Sequence, residues 1–298
     1  MTADNASNRS PESRRKDATE SPTEPIVNAL TIDLEDWPQS VLDPRLPITS
    51  CVVENTERIL ALLRRFDLRA TFFALGKVCE KHPQLLPRIA AEGHEIATHG
   101  YGHEVLYRLS PERFRDDLRR SLDLIGEQTG RRPIGYRAPQ FSVTRRSLWA
   151  GPVMAELGIR YSSSIFPIAG RRYGIPEARR HPHRWPTCDL IEFPLTTWRR
   201  FGRNLPVAGG GYLRLLPVRI VASAVREANR EGHPAAIYVH PYELAVDEIR
   251  RLRREGWRIG WKTRLMQSLF RSRIEKRLTR LFREFAFAPM GEVLGLSR

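Results

Sequence analysis

The sequence predicts an α/β fold built on a mainly parallel sheet or barrel, and three observations predict it. Short apolar runs alternate with stretches of helical period along the chain. Several of these runs end abruptly in acidic or basic residues, as buried parallel strands do where they meet a site. With 298 residues, 41% of them hydrophobic, the chain can bury one sizeable core.

Residues 1–26 are rich in Ser, Pro, Glu and Arg with almost no large apolar side chain, so burial cannot offset the entropy of ordering them. A disordered tail is expected there. Strands are expected at 29–33, 70–75, 95–98, 134–137, 159–162 and 235–240. Between them, helical patterns cover 51–66 and 83–91, the second stopped by Gly93. A third helix opens on Ser110-Pro111, carries Phe114, Leu118, Leu122 and Ile125 on one face, and ends at Gly130. A fourth runs from about 217 to 231, before Gly232. From 245 to 298 the composition turns basic, with Leu265, Leu269, Leu278, Leu281, Phe282 and Phe285 in a roughly helical pattern. The chain therefore divides into a tail (1–26), a catalytic domain (27–244) and a basic amphipathic extension packed on it (245–298).

The formal net charge of +15 is spread along the chain, mostly as arginine, and a solvated basic surface accounts for it as readily as an anionic partner. No nucleic-acid partner is expected; beside plain packing on the domain, the basic C-terminal region suggests a peripheral membrane-surface or anionic-glycan contact. There is no run of 18 apolar residues, and the N-terminus lacks the apolar segment of a secretory signal, so a cytoplasmic protein, peripheral at most to the inner membrane, is expected. Cys51, Cys79 and Cys188 lie far apart and suggest neither a disulfide framework nor a thiolate zinc site.

Three groups of residues carry chemistry. Asp33, Glu35 and Asp36 crowd three carboxylates into four positions just after a buried strand, an arrangement that needs a cation or a shared proton unless the loop is simply solvated. His99 and His103, four apart in HGYGH, can face the same way on one helical turn and bind one metal ion. With a carboxylate from the first group they make a two-His, one-carboxylate set with open positions. His240, closing the apolar run before Pro241, is placed for proton transfer near neutral pH, though a structural histidine would fit the same position. Arg137 can orient a carboxylate, and Gly209-Gly210-Gly211 supplies a tight backbone turn.

In order along the chain, IDLEDW, THGYGH, YRAPQF, YSSSIFP with RRYGIP, EFPLTTW, LPVAGGGYLRLLP and YVHPYE resemble the NodB-homology polysaccharide deacetylases of carbohydrate esterase family 4. They look closest to the exosortase-associated exopolysaccharide deacetylases, over residues 27–298. The resemblance implies a distorted (β/α) barrel and a hydrolase of non-peptide carbon–nitrogen bonds, with a divalent metal, most often Zn2+. It implies Asp33 as catalytic base, His240 as acid and Arg137 as the arginine that holds the base. His99, His103 and Glu35 would be the metal ligands, with Asp36 as the alternative carboxylate. Trp37, Phe141, Trp198 and Tyr212 would line a substrate groove, and a backbone N–H near Phe141 would help stabilise an oxyanion. The implied substrate is an N-acetylated exopolysaccharide or a lipid-linked precursor.

One departure stands out. Relatives commonly carry Asp where this chain has Ser162, a carboxylate thought to support the histidine acid, so the expectation is either reduced activity or a different partner such as Glu243 or Glu192. The competing readings are an allantoinase-like hydrolase of small cyclic amides on the same scaffold and a catalytically weak glycan- or membrane-surface-binding protein.

Overall fold

The first strand shows why these residues make a parallel sheet. In β1 (Asn28–Leu34) every residue is buried, the signature of a strand covered on both faces. Leu30, Ile32 and Leu34 face outward into the largest apolar cluster, shared with the helices, whereas Ala29, Thr31 and Asp33 alternate toward the interior. The structure, a computed structural model, describes residues 25–170 and 173–296. All but the last two residues of the expected tail lie outside that range, as do Arg171 and Arg172 of the RRYGIP motif.

After β1 come α1 (Cys51–Arg65), β2 (Thr71–Ala74), α2 (Gly76–Lys81), α3 (Leu85–Ala91), β3 (Glu95–Thr98), α4 (Pro111–Thr129), β4 (Gly135–Tyr136), α5 (Ala150–Glu156) and β5 (Tyr161–Ser162). Next are β6 (His183–Arg184), β7 (Ile191–Glu192), β8 (Thr197–Arg200), β9 (Arg203–Pro206), α6 (Gly211–Leu215), α7 (Val218–Arg230) and β10 (Ala236–Val239). The chain closes with α8 (Glu248–Arg254), α9 (Trp261–Ser268), α10 (Ile274–Glu284), β11 (Phe287–Ala288) and α11 (Met290–Val293). The main sheet has nine strands in the order β10-β1-β2-β3-β4-β5-β7-β6, with β11 also paired to β1. All pairings in it are parallel except β6 with β7. Curved and backed by helices, the sheet forms the half-barrel of a distorted (β/α) barrel.

Local chemistry sets the helix limits. Ser110 caps α4 by accepting from the Arg113 N–H at 3.3 Å, Pro111 takes the first helical position, and Gly130 ends the helix at φ 69°. Phe114, Leu118, Leu122 and Ile125 are all buried, as their spacing predicts. In the C-terminal region, Ile274, Leu278 and Leu281 of α10 enter the main core, and β11 adds a strand beside β1. By contrast, α9 buries no residue at all.

Candidate active site

In a parallel sheet the strand ends that share one edge bring distant sequence together. Asp33 is the penultimate residue of β1, on its inner face, and Glu35 is the first residue beyond the strand. His99 follows β3, Arg137 follows β4 and His240 follows β10. The β1–β10 and β1–β2–β3 registers hold these C-terminal ends level, so five chemistry-bearing side chains converge at one mouth.

Glu35, His99 and His103 meet there. Glu35 Oε1 lies 2.8 Å from His99 Nε2 and 3.1 Å from His103 Nε2, and all three side chains are buried. The loop does this without a helical turn: Gly100 at φ 74° and His103 at φ 62° fold residues 99–103 into a bend. Asp117 of α4 pins that bend by accepting from the Tyr101 and Gly102 N–H groups at 2.8 and 2.9 Å. His99 Nδ1 donates to the Arg137 carbonyl at 2.8 Å, so in the neutral ring Nε2 is a lone pair aimed at a carboxylate oxygen. Lone pairs from two imidazoles and a carboxylate converging in a buried site fit a divalent cation between them. Burial alone would raise the Glu35 pKa, but when no cation stands between them and the ring nitrogens carry protons, the charges of His103 and His240 and the hydrogen bonds from His103 and His99 outweigh it. The carboxyl is held well below its ordinary range.

Asp36 points elsewhere. Its carboxylate accepts from the Thr49 N–H at 2.8 Å and from the Thr49 hydroxyl at 2.9 Å, fixing the loop into α1. Burial pushes its pKa up to about 6 despite these bonds. Of the two carboxylates expected to compete as ligand, Glu35 faces the histidines.

Asp33 is held by a wholly buried guanidinium. Arg137 Nη1 donates to Asp33 Oδ1 at 2.5 Å and to Thr31 Oγ1 at 2.8 Å, while its Nε and Nη2 donate to the carbonyl and hydroxyl of Ser163. The Phe73 ring lies 4.0 Å from the guanidinium carbon. On the other side, His240 Nε2 stands 4.0 Å from Asp33 Oδ2 and 3.8 Å from Glu35 Oε2. Burial depresses the His240 pKa, but the Glu35 charge, the Glu243 hydrogen bond and charge, and Asp33 reverse that and raise it to about 9. Of the two carboxylates expected as alternatives to one at 162, Glu243 is the one that faces His240. Its Oε2 lies 3.4 Å from His240 Nδ1 and accepts from the His240 N–H at 3.1 Å. Ser162 instead donates to Ser164, and Glu192 accepts from the N–H groups of Ser164 and Ile165 and from Trp185 Nε1, a purely structural knot. Thr31 and Ser163 were invisible to sequence reasoning, because only the sheet register brings them to Arg137.

The residues expected to line a groove separate into two kinds. Phe141 and Tyr212 belong to one aromatic cluster with Phe166, Tyr173 and Tyr238, and the Tyr238 ring sits 5.5 Å from that of His240. Trp37 is corrected: it is fully buried, packed with Tyr242, Cys51, Ile249 and Leu252, and offers no face to a ligand. Trp198 lies on β8 in a separate two-stranded sheet, its ring covered by Arg200 at 4.0 Å. The Phe141 N–H donates to the Ala138 carbonyl at 3.0 Å, within the tight turn that sets Gln140 and Phe141 at positive φ, so the turn already uses it.

Known proteins divide the chain in two. Residues 22–162 match the family described as polysaccharide deacetylase, and residues 163–295 match one described as a domain of unknown function (DUF3473). A peptidoglycan-N-acetylglucosamine deacetylase of Bacillus cereus is 33% identical over 99 residues, which cover 33% of this chain and 36% of that protein. The chain thus spans about a third of the length of the curated relatives it matches. A Mycobacterium smegmatis protein assigned to the polysaccharide deacetylases superposes with a TM-score of 0.62 at 21% identity, over 93% of this chain and 92% of that one. Puue allantoinase does so with a TM-score of 0.59 at 16% identity, over 93% and 91%. At these identities the structural likeness is one of fold.

Proposed function

We propose that the chain, whose residues 22–162 match the polysaccharide deacetylase family, is a metal-dependent hydrolase of the acetamide of N-acetylated sugars, acting on an exopolysaccharide or its lipid-linked precursor. One observation carries this reading. The Nε2 atoms of His99 and His103 converge on Glu35, with the Arg137-held Asp33 and His240 on the adjoining sides of the same mouth.

Glu35, His99 and His103 would hold the cation, for which a three-ligand nitrogen and oxygen set of this kind suits Zn2+. When bound, a divalent metal supplies Lewis-acid polarisation of the amide carbonyl and lowers the pKa of water. Asp33, kept in one orientation by Arg137, is placed to accept the proton of the attacking water. His240, whose pKa the carboxylates around it raise, is placed to give a proton to the departing sugar amine. Arg137 and Glu243 touch neither the water nor the amine; they position the base and the acid.

The test is acetate release from N-acetylglucosamine oligomers by the purified chain, before and after chelation and on re-addition of Zn2+, with allantoin as the control substrate. Activity on the oligomers that disappears with chelation and returns with metal supports the reading, and Asp33→Asn should lower the rate about a hundredfold or more. Metal content gives a second readout. His99→Ala with undiminished metal and undiminished activity would show that the ligand set is wrong, and hydrolysis of allantoin alone would move the enzyme to the cyclic amidases.

A further inference from the structure

Helix α9 is built inside out. In an ordinary surface helix the apolar stripe packs inward and polar residues meet water. Here the less exposed positions are Thr263 and Gln267, while Trp261 is 65% exposed, Leu265 52% and Met266 51%. Phe270, in the turn that follows, is 37% exposed. Lys262 and Arg264 are exposed between the apolar residues. Such side chains can lay their stems on an apolar phase and keep their charges in a polar one.

The surroundings are one-signed. Between Arg250 and Arg273 the sequence holds nine Arg or Lys and one acidic residue, Glu255. Arg250, Arg253, Arg254, Arg258, Lys262 and Arg264 are all exposed. A second copy of the chain pairing through this face would bring these cations together, so charge argues against self-association and for an anionic surface. Among the described residues no helix is long and apolar enough to cross a membrane. An aromatic and aliphatic ridge flanked by Arg and Lys is what an interfacial helix lying in the plane of a bilayer requires.

The same helix is tied to the catalytic mouth. The Gln267 carbonyl accepts from Arg214 and from Arg271, each at 2.6 Å, and the Gln267 side chain accepts from Trp37 Nε1 at 3.5 Å. Arg271 donates in turn to the carbonyls of Tyr242 and Ala245 at 2.9 and 3.0 Å, and the Tyr242 ring stacks on His240 at 4.7 Å. We infer that α9 and the turn after it seat on an anionic lipid bilayer, with the mouth formed by the strand ends held beside the lipid surface. The docking follows from the surface alone. Its consequence, that the glycan reaches the site from a membrane-held carrier, rests on the deacetylase reading above.

The experiment is flotation of the full chain with phosphatidylcholine vesicles, with and without phosphatidylglycerol, at low and high salt. Binding is expected only with the anionic lipid, weakening as salt rises. The triple variant Trp261→Ser, Leu265→Ser, Met266→Ser should lower the partition coefficient about tenfold or more, and Lys262→Glu with Arg264→Glu should do so about tenfold. Both variants should release acetate from soluble oligomers at the wild-type rate, because none of these side chains lines the mouth. If the wild type ignores anionic vesicles at low salt, or if the triple variant partitions equally well, the inference is overturned. A concentration-dependent dimer that the triple variant abolishes would also overturn it, assigning the face to a second copy. If no form releases acetate yet vesicle binding follows the expected pattern, the deacetylase reading fails and the docking stands.

Discussion

The Arg137–Asp33 pair offers a test of the site's construction that does not depend on turnover. Replacing Arg137 by Met keeps most of the stem volume and removes the donors to Asp33, Thr31 and Ser163. Both partners are buried, Arg137 at 0% and Asp33 at 2% exposure, so the variant leaves a buried carboxylate without its guanidinium, with His240 at 4.0 Å as the nearest remaining cation. Breaking a buried pair from one side costs about 3–5 kcal/mol, because the desolvation of the remaining charge is no longer offset. For a chain of this size that corresponds to a fall in melting temperature of about 10 °C. The discriminating step is the double variant. Adding Asp33→Asn removes the stranded charge, so Asp33→Asn with Arg137→Met should be more stable than Arg137→Met alone, with a coupling of about 2 kcal/mol or more. Urea unfolding of the metal-free protein at neutral pH measures all four corners of the cycle. A loss below about 1 kcal/mol for Arg137→Met, or strictly additive losses in the double variant, would refute the reasoning.

Other outcomes follow from the same structure. Glu243→Gln should lower kcat and move the alkaline limb of the pH–rate profile to lower pH, because Glu243 is among the groups that raise the His240 pKa; a profile unchanged in position would assign Glu243 to loop structure only. His94 accepts the Ala70 N–H on Nδ1, and burial depresses its pKa to about 4 from 6.5. The unfolded chain therefore binds the proton more tightly, so stability is full above pH 6.5 and falls as pH drops toward 4, by at most about 3 kcal/mol. Melting temperature across that range should show the loss, and His94→Asn, whose amide oxygen can take the Nδ1 position, should flatten it. Gly209→Ala should cost about 3 kcal/mol by chemical denaturation and impair acetate release, because the new Cβ would fall 1.8 Å from the Tyr238 carbonyl, two residues before His240.

The parts of the fold legible in the sequence were those where one physical signal dominates. β3 runs over residues 95–98 as expected, and α4 begins and ends at its cap and its left-handed glycine. The β6–β7 and β8–β9 pairs escaped. Their strands, such as His183–Arg184 and Arg203–Pro206, are short and largely exposed, so no alternation of apolar and polar residues marks them. The C-terminal apolar pattern was read as one packed stripe, yet Leu278 and Leu281 are core whereas Leu265 is exposed. Periodicity reports that residues share a face, not what that face touches.

Spacing carried similar ambiguity at the site. His99 and His103 come together, but through a glycine-permitted bend rather than the helical turn their separation suggested. The two intervening glycines matter for this: Gly100 adopts a left-handed φ, and a Cβ there would fall 2.9 Å from an Asp117 oxygen that anchors the loop. What sequence could not supply was the shell behind the reacting groups, since the donors and acceptors on Arg137 and His240 come from Thr31, Ser163 and Glu243. Of these only Glu243 is near its partner in sequence, three residues on, where it both caps the turn after β10 and supports the imidazole. A carboxylate that already stabilises the backbone there can take over support of the acid at little added cost, so serine at 162 need not disable His240. The Glu243→Gln pH profile therefore bears on more than one residue: it asks whether the turn after β10 supports the imidazole that Ser162 on β5 cannot.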